Sequence, residues 1–153
     1  MENQTVRISV ITSVYNRANK IHRVFESLEK STFRNFELVI MDDGSTDNIV
    51  EVVNHYKEKV SYPVTFLRQE ENRGKHTVVN VLHQKARGEY AIQLDSDDEL
   101  TPDALEKALN AWDRIAPEKK DEYWCVAGRT MDQRKREILG VPYPDGINDL
   151  DWM

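Results

Sequence analysis

Four acidic residues, Asp95, Asp97, Asp98 and Glu99, stand within five positions, with Ser96 among them. Carboxylates this close repel one another, so each needs a proton, a cation or bulk water. Residues 90–94 ahead of them read as a buried strand, and Thr101-Pro102-Asp103 behind them opens a helix. Open α/β sheets bind ligands at the carboxyl ends of their strands, so such a cluster is placed to hold a hard divalent cation. The competing reading is a solvated acidic turn before a helix N-terminus, where negative charge is favoured anyway. A second acidic pair, Asp42-Asp43, ends another apolar run, and Tyr15-Asn16-Arg17 follows a third.

The elements that must position these clusters can be read from hydrophobic period. Residues 7–14 contain the β-branched run Ile8-Ser9-Val10-Ile11 and predict a central first strand. A helix should begin near Asn19, a candidate N-cap, with Ile21, Val24, Phe25 and Leu28 as its buried stripe. Residues 36–41 predict the second strand, followed by a helix capped by Ser45 or Thr46 and striped by Ile49, Val52, Val53 and Tyr56. Residues 63–68 predict a third strand, 70–74 a polar loop, and 75–86 a helix carrying Val78, Val81 and Leu82. Arg87-Gly88 is expected to end that helix with a left-handed stop. After strand four and the acidic turn, Leu105, Ala108, Leu109 and Trp112 mark a fourth helix.

Strand and helix thus alternate four times, which predicts an α/β fold with a mostly parallel sheet and helices on both faces. Right-handed crossovers in a doubly wound, Rossmann-like arrangement give the strand order 3-2-1-4, with a crevice between the carboxyl ends of strands one and four. Tyr15 to Arg17 and Asp95 to Asp98 would flank that crevice, with Asp42-Asp43 one strand away. Beyond residue 116 the pattern weakens: residues 123–130 and 137–141 predict two further strands, with Arg134-Lys135-Arg136 as a solvated turn. Trp124 is expected on the inner face of the first of these, and the lone Cys125 as a small buried hydrophobe.

The chain has 153 residues, 39% hydrophobic and 31% charged, with a net charge of −6. That composition fits one folded domain and argues against a sequence-independent nucleic-acid binder. One cysteine excludes a disulfide framework and a cysteine-based zinc site. With no leader ahead of Ile8 and no apolar run near the ~20 residues that span a bilayer, a cytoplasmic location is expected. No Gly-x-Gly-x-x-Gly follows the first strand, and Gly74-Lys75 lacks the preceding glycine of a phosphate loop. A phospho-acceptor receiver, or a phosphatase with an Asp-x-Asp nucleophile, should carry its acidic residues after strand one, which here ends in Ser13-Val14-Tyr15.

Several of these segments in register resemble the family-2 glycosyltransferases, which have the GT-A fold. The resemblance covers roughly residues 6–109. It is carried by residues 8–17, by Phe36 through Asp47, by Asn72-Arg73-Gly74-Lys75 with Asn80, and by Ala86 through Asp98. Ser13 departs from the proline that many members have. The resemblance implies a nucleoside-diphosphate sugar donor, most often a UDP-sugar, and an acceptor that is a saccharide or lipid-linked. It implies a cytoplasmic enzyme of cell-envelope polysaccharide synthesis, whose full-length form could associate peripherally with a membrane. Tyr15 and Ser13 would contact the uracil, Asp43 its imide N–H, and Arg17 and Lys75 the diphosphate. His76 stands beside that diphosphate loop. Asp42 is expected to cap the Gly44–Thr46 turn instead. Asp95, with Ser96 beside it, would meet the ribose, and Asp97 assisted by Asp98 would hold Mg²⁺ or Mn²⁺.

The family inverts at the anomeric carbon with a carboxylate base from a downstream segment, and nothing after Leu100 matches that segment. Residues 1–116 are therefore expected to be the nucleotide-sugar-binding region, and 117–153 further strands and the start of an incomplete acceptor side. A UDP-sugar-binding fragment without transferase activity is one rival, and a receiver-type signalling domain another.

Overall fold

The computed structural model describes residues 5–122, 125, 128, 130–132 and 134–139. Two compact units divide at Leu105 and Glu106. The first is built on a four-stranded parallel sheet of β1 (Ile8–Val14), β2 (Phe36–Asp43), β3 (Val64–Gln69) and β4 (Tyr90–Gln93), in the order β3-β2-β1-β4. Helices α1 (His22–Glu29), α2 (Ile49–Lys57) and α3 (Lys75–Lys85) connect the strands in turn, and α4 (Ala104–Asp113) begins at the end of this unit. Stepping from β1 to β2 to β3 and then back past β1 to β4 reverses the direction of winding. With right-handed crossovers, α3 must therefore lie on the face opposite α1 and α2.

Burial follows that layering. On one face Ile11, Val39 and Met41 pack with Val78 and Leu82 of α3, bordered by Leu67, Val81 and Ala86. On the other, Val10, Leu38 and Ile40 are fully buried, as are Val24, Phe25 and Leu28 of α1 and Ile49 and Val53 of α2. The rings of Phe25 and Tyr56 stack at 5.0 Å and join α1 to α2. Each fully buried side chain of this size contributes roughly 1.5–3 kcal/mol, so the two central strands anchor the unit.

Some expectations fail for identifiable reasons. β4 is not buried throughout: Ala91 and Gln93 are exposed and Tyr90 and Ile92 half-buried, because β4 is an edge strand. Asn19 does not cap α1, which starts at His22 without any side-chain cap. Ser45 and Thr46 do not cap α2 either; their hydroxyls bond elsewhere, to Asp42 and Asn16. Helix α3 ends with Ala86 in an extended conformation, and Gly88 has no positive φ. Gly88 is needed for another reason: a Cβ there would lie 2.4 Å from the Ser9 backbone nitrogen.

A buried network went unseen in the sequence. Glu37, 1% exposed, accepts hydrogen bonds from Ser9 Oγ at 2.7 Å, Arg87 N at 2.9 Å and Arg87 Nε at 2.9 Å. Burial pushes its carboxyl up, but the bonds from Arg87 and Ser9 and the guanidinium charge outweigh burial and hold it below the usual range. Ser9 Oγ also accepts from Gly88 N at 2.8 Å, so the turn into β4 is fixed to β1 and β2.

The second unit holds most of α4, a 3-10 helix at Pro117–Glu122 and a two-stranded antiparallel hairpin of β5 (Met131–Asp132) and β6 (Glu137–Ile138). Asp132 Oδ1 accepts from Arg134 N at 2.8 Å and Lys135 N at 3.1 Å, which makes the basic run an exposed turn. Most of the strand expected at 123–130, with Trp124, lies outside the described residues; within it Cys125, Gly128 and Thr130 form no strand. Cys125 is exposed, not buried, since an apolar run is sheltered only where another layer covers it. Trp112 is half-buried. Among the described residues no helix is long and apolar enough to cross a membrane.

Candidate functional site

At the carboxyl ends of β1 and β4 the sheet's switch point opens into a cleft of about 370 Å³. Its lining includes Ser13 from β1, Tyr15 and Arg17 just after it, Asp43 from β2, Lys75 from α3, and Asp95, Ser96 and Asp97 after β4. Eight of the nine proposed site residues thus face one space, whereas Asp98 is not in its lining. His76 is exposed on the first turn of α3 and does not line it. Val14, Asn72 and Gly74, which have no site role on sequence grounds, do.

The loop after β1 is shaped by bonds that reach across to the loop after β2. Asn16 takes a positive φ of 51°, a conformation this residue type tolerates. Its N–H donates to Ser45 Oγ at 2.8 Å, and its Oδ1 accepts from Thr46 N at 2.9 Å. Ala18 N donates to Asp47 Oδ2 at 2.8 Å, supplying from another loop the anchor that Asn19 does not provide. Asp42 accepts both the N–H and the hydroxyl of Ser45, and its other oxygen lies 3.2 Å from Arg68 Nε. Asp42 is therefore a scaffold residue, fully buried. Tyr15 is left projecting at the mouth, 44% exposed.

Asp43 has a different environment. Its Oδ1 accepts from Arg73 N at 2.7 Å and from Gln69 Nε2, and its Oδ2 accepts from Gly74 N at 3.0 Å. A carboxylate has about four acceptor positions, so these three bonds leave one unfilled. Gly44 makes this approach possible: at φ +71° it is left-handed, and a Cβ there would lie 2.7 Å from the Glu71 carbonyl carbon.

The acidic turn is ringed by cations. Lys75 Nζ lies 2.7 Å from Asp95 Oδ1; Lys20 Nζ lies 3.3 Å and Arg17 Nε 3.8 Å from Asp97 Oδ2. Arg23 donates to the Asp97 carbonyl at 3.3 Å and pairs with Glu99 at 3.8 Å. Burial, followed by the charges of Asp97 and Asp95, pushes the Asp98 carboxyl up, partly offset by Arg23 and Lys75. Among the described residues no three His, Cys, Asp or Glu side chains form a ready metal cage. The donor chemistry nonetheless fits Mg²⁺ or Mn²⁺: these ions take hard oxygen ligands, and at phosphate sites Mg²⁺ uses only one or two carboxylates. Asp95 and Asp97 line the cleft and offer such oxygens to it.

Comparison with known proteins agrees with this architecture. A hyaluronan synthase from Pasteurella multocida is 38% identical over 107 residues, which is 70% of this chain and 11% of that protein. The crystal structure of S. aureus TarS 1-349 in complex with UDP-GlcNAc superposes with a TM-score of 0.65 at 33% identity, covering 70% of this chain and 31% of that one. The mannosyltransferase PcManGT from Pyrobaculum calidifontis, in complex with GDP-Man and Mn²⁺, gives a TM-score of 0.68 at 26% identity, covering 72% and 33%. The chain spans less than half the length of the curated relatives it matches. The family profile described as glycosyl transferase family 2 matches residues 9–118. With that match, a sheet ordered β3-β2-β1-β4 and its cleft at the switch point, the chain belongs to glycosyltransferase family 2 and has the GT-A fold.

Proposed function

We propose that residues 1–116 form the donor-binding region of a metal-dependent, inverting glycosyltransferase that uses a UDP-sugar, with 117–153 leading into the acceptor side. The observation that carries this reading is the meeting of Tyr15, Asp43, Lys75 and Asp97, from four separate segments, around one cleft. A UDP-GlcNAc complex among the structural neighbours supports a uridine nucleotide, and a Mn²⁺ complex supports a divalent cation.

Each residue has a chemical task in this reading. Tyr15 offers an aromatic face at the mouth, and Ser13 a hydroxyl beside it, to the uracil. Asp43, its carboxylate immobilised by Gln69, Arg73 and Gly74, presents its remaining acceptor position to the imide N–H. A charge-assisted bond from a sheltered carboxylate is about twice as strong as a neutral one. Arg17 and Lys75 bring positive charge to the diphosphate. Asp95, with Ser96, faces the ribose hydroxyls. Asp97, assisted by Asp98, would hold Mg²⁺ or Mn²⁺, which when bound neutralises the charge that grows on the departing nucleoside diphosphate. Inversion also needs a carboxylate base against the acceptor hydroxyl, and none of this chain's acids is assigned that role. The acceptor itself is a saccharide or a lipid-linked molecule, in keeping with a relative named hyaluronan synthase.

The test is a calorimetric comparison of UDP, GDP and ADP in Mn²⁺. Saturable binding of UDP, at least tenfold tighter than either purine nucleotide, is expected. Equal affinity for all three, or none for UDP, would overturn the assignment of Tyr15 and Asp43 to the base.

A further inference from the structure

Lys20 lies outside the cleft lining and outside every role assigned above, yet it makes the shorter of the two ion pairs on Asp97, 3.3 Å against 3.8 Å for Arg17. Its position follows from the winding of the chain into α1. Lys20 N and Ile21 N both donate to Arg17 O, at 2.9 and 3.0 Å, and Arg23 N donates to Lys20 O at 3.0 Å, so three-residue steps run through the entry to α1. Such winding eclipses side chains three apart. Arg17, Lys20 and Arg23 are thereby brought along one side, and all three engage the turn from Asp97 to Glu99. With Lys75 on Asp95, four cations stand against the four carboxylates Asp95, Asp97, Asp98 and Glu99.

The geometry points to Lys20 as an exchangeable counter-ion of Asp97, which couples binding of the divalent cation to binding of the diphosphate. This rests on the donor-site reading of Asp97. With the cleft empty, the charges of the turn balance. A divalent cation arriving alone must compete with the Lys20 ammonium for Asp97 and leaves an excess of positive charge. A diphosphate arriving with it supplies the missing negative charge and gives the displaced ammonium a new partner. The pair is suited to exchange because both ends are wet: the Lys20 side chain is 45% exposed and that of Asp97 39%. Half-exposed ion pairs are weak, and salt screens them. By linkage, whatever the diphosphate adds to cation affinity the cation adds to diphosphate affinity.

The experiment measures free Mn²⁺ by electron paramagnetic resonance in wild-type protein, Lys20→Met and Lys20→Arg, with and without UDP. Without UDP, Lys20→Met should bind Mn²⁺ about two- to fivefold more tightly than wild type, the range set by loss of one exposed pair. UDP should raise Mn²⁺ affinity in wild type and by a smaller factor in Lys20→Met, while Lys20→Arg follows wild type. The difference between Lys20→Met and wild type should shrink in high salt. Unchanged or weaker Mn²⁺ binding by Lys20→Met, or an unchanged UDP effect, would overturn the role of Lys20 alone. No Mn²⁺ binding by any of the three proteins, even with UDP, would overturn the donor-site reading and this inference with it.

Discussion

Lys75, at the first turn of α3, places its Nζ 2.7 Å from Oδ1 of Asp95, just beyond β4, and so ties together two segments that line the cleft. Both side chains are about half exposed, so the pair adds little to stability. Under the proposed donor-site reading its weight falls on the ligand. Lys75→Ala is expected to weaken UDP binding about three- to tenfold by calorimetry, with the melting temperature within a degree or two of wild type. Charge-assisted bonds contribute roughly 1.5–3 kcal/mol when sheltered and less at this exposure. Unaltered UDP affinity would remove Lys75 from the diphosphate site.

Tyr15 should behave in the same direction for a different reason. Its ring is exposed at the mouth, so its loss costs the core nothing. Stacking of a base on an aromatic ring is worth roughly 1–3 kcal/mol. Tyr15→Ala should therefore weaken UDP binding about tenfold without changing thermal stability, and Tyr15→Phe should retain most of the affinity.

Glu37 gives the fold a pH dependence that is separate from the site. Its carboxyl is held below its ordinary value of 4.5, so the folded state favours the ionised form. The stability it contributes is complete above that ordinary value and is lost as pH falls through the lower folded value. Glu37→Gln should destabilise by about 2 kcal/mol at pH 7, through loss of charge-assisted bonds. It should also flatten the fall of stability below pH 4.5, measured by urea unfolding at a series of pH values. An unchanged acid slope would mean that the Arg87 pairing is not formed in solution.

Gly88→Ala tests the close approach of the β4 entry to β1. The added Cβ would meet backbone atoms of Ile8 and Ser9, which cannot swing aside. A loss of roughly 1–3 kcal/mol is expected, the usual cost of overpacking a well-packed core. A variant as stable as wild type in urea would contradict the observed contact.

The sheet order and the convergence on the switch point were legible because they follow from strand–helix alternation and crossover handedness, which need only the pattern of Ile, Val and Leu. The Asp42–Ser45 turn was legible too, since its partners are three residues apart. Bonds that leap between loops were not. The N–H of Ala18 finds Asp47, and Ser45 and Thr46 meet Asn16, so the local cap candidates were displaced by distant partners. Glu37 was hidden in the same way: an acid inside an apolar strand makes sense only once Ser9 lies beside it in register and Arg87 arrives from the end of α3. Gly88 has the sequence context of a helix stop. Its actual constraint, the nearness of the Ser9 backbone, is tertiary. The exposure of Cys125 likewise depends on layers that no local run of apolar residues reveals.

The central claim is that Asp97 and a divalent cation act together on a uridine diphosphate. A calorimetric titration of UDP into wild type and Asp97→Ala, each with Mn²⁺ and with chelator, tests it most directly. The account requires UDP binding by wild type that collapses at least tenfold in chelator, and binding by Asp97→Ala that is weak and indifferent to Mn²⁺, with both proteins equally folded. Equal UDP affinity in all four titrations would contradict it.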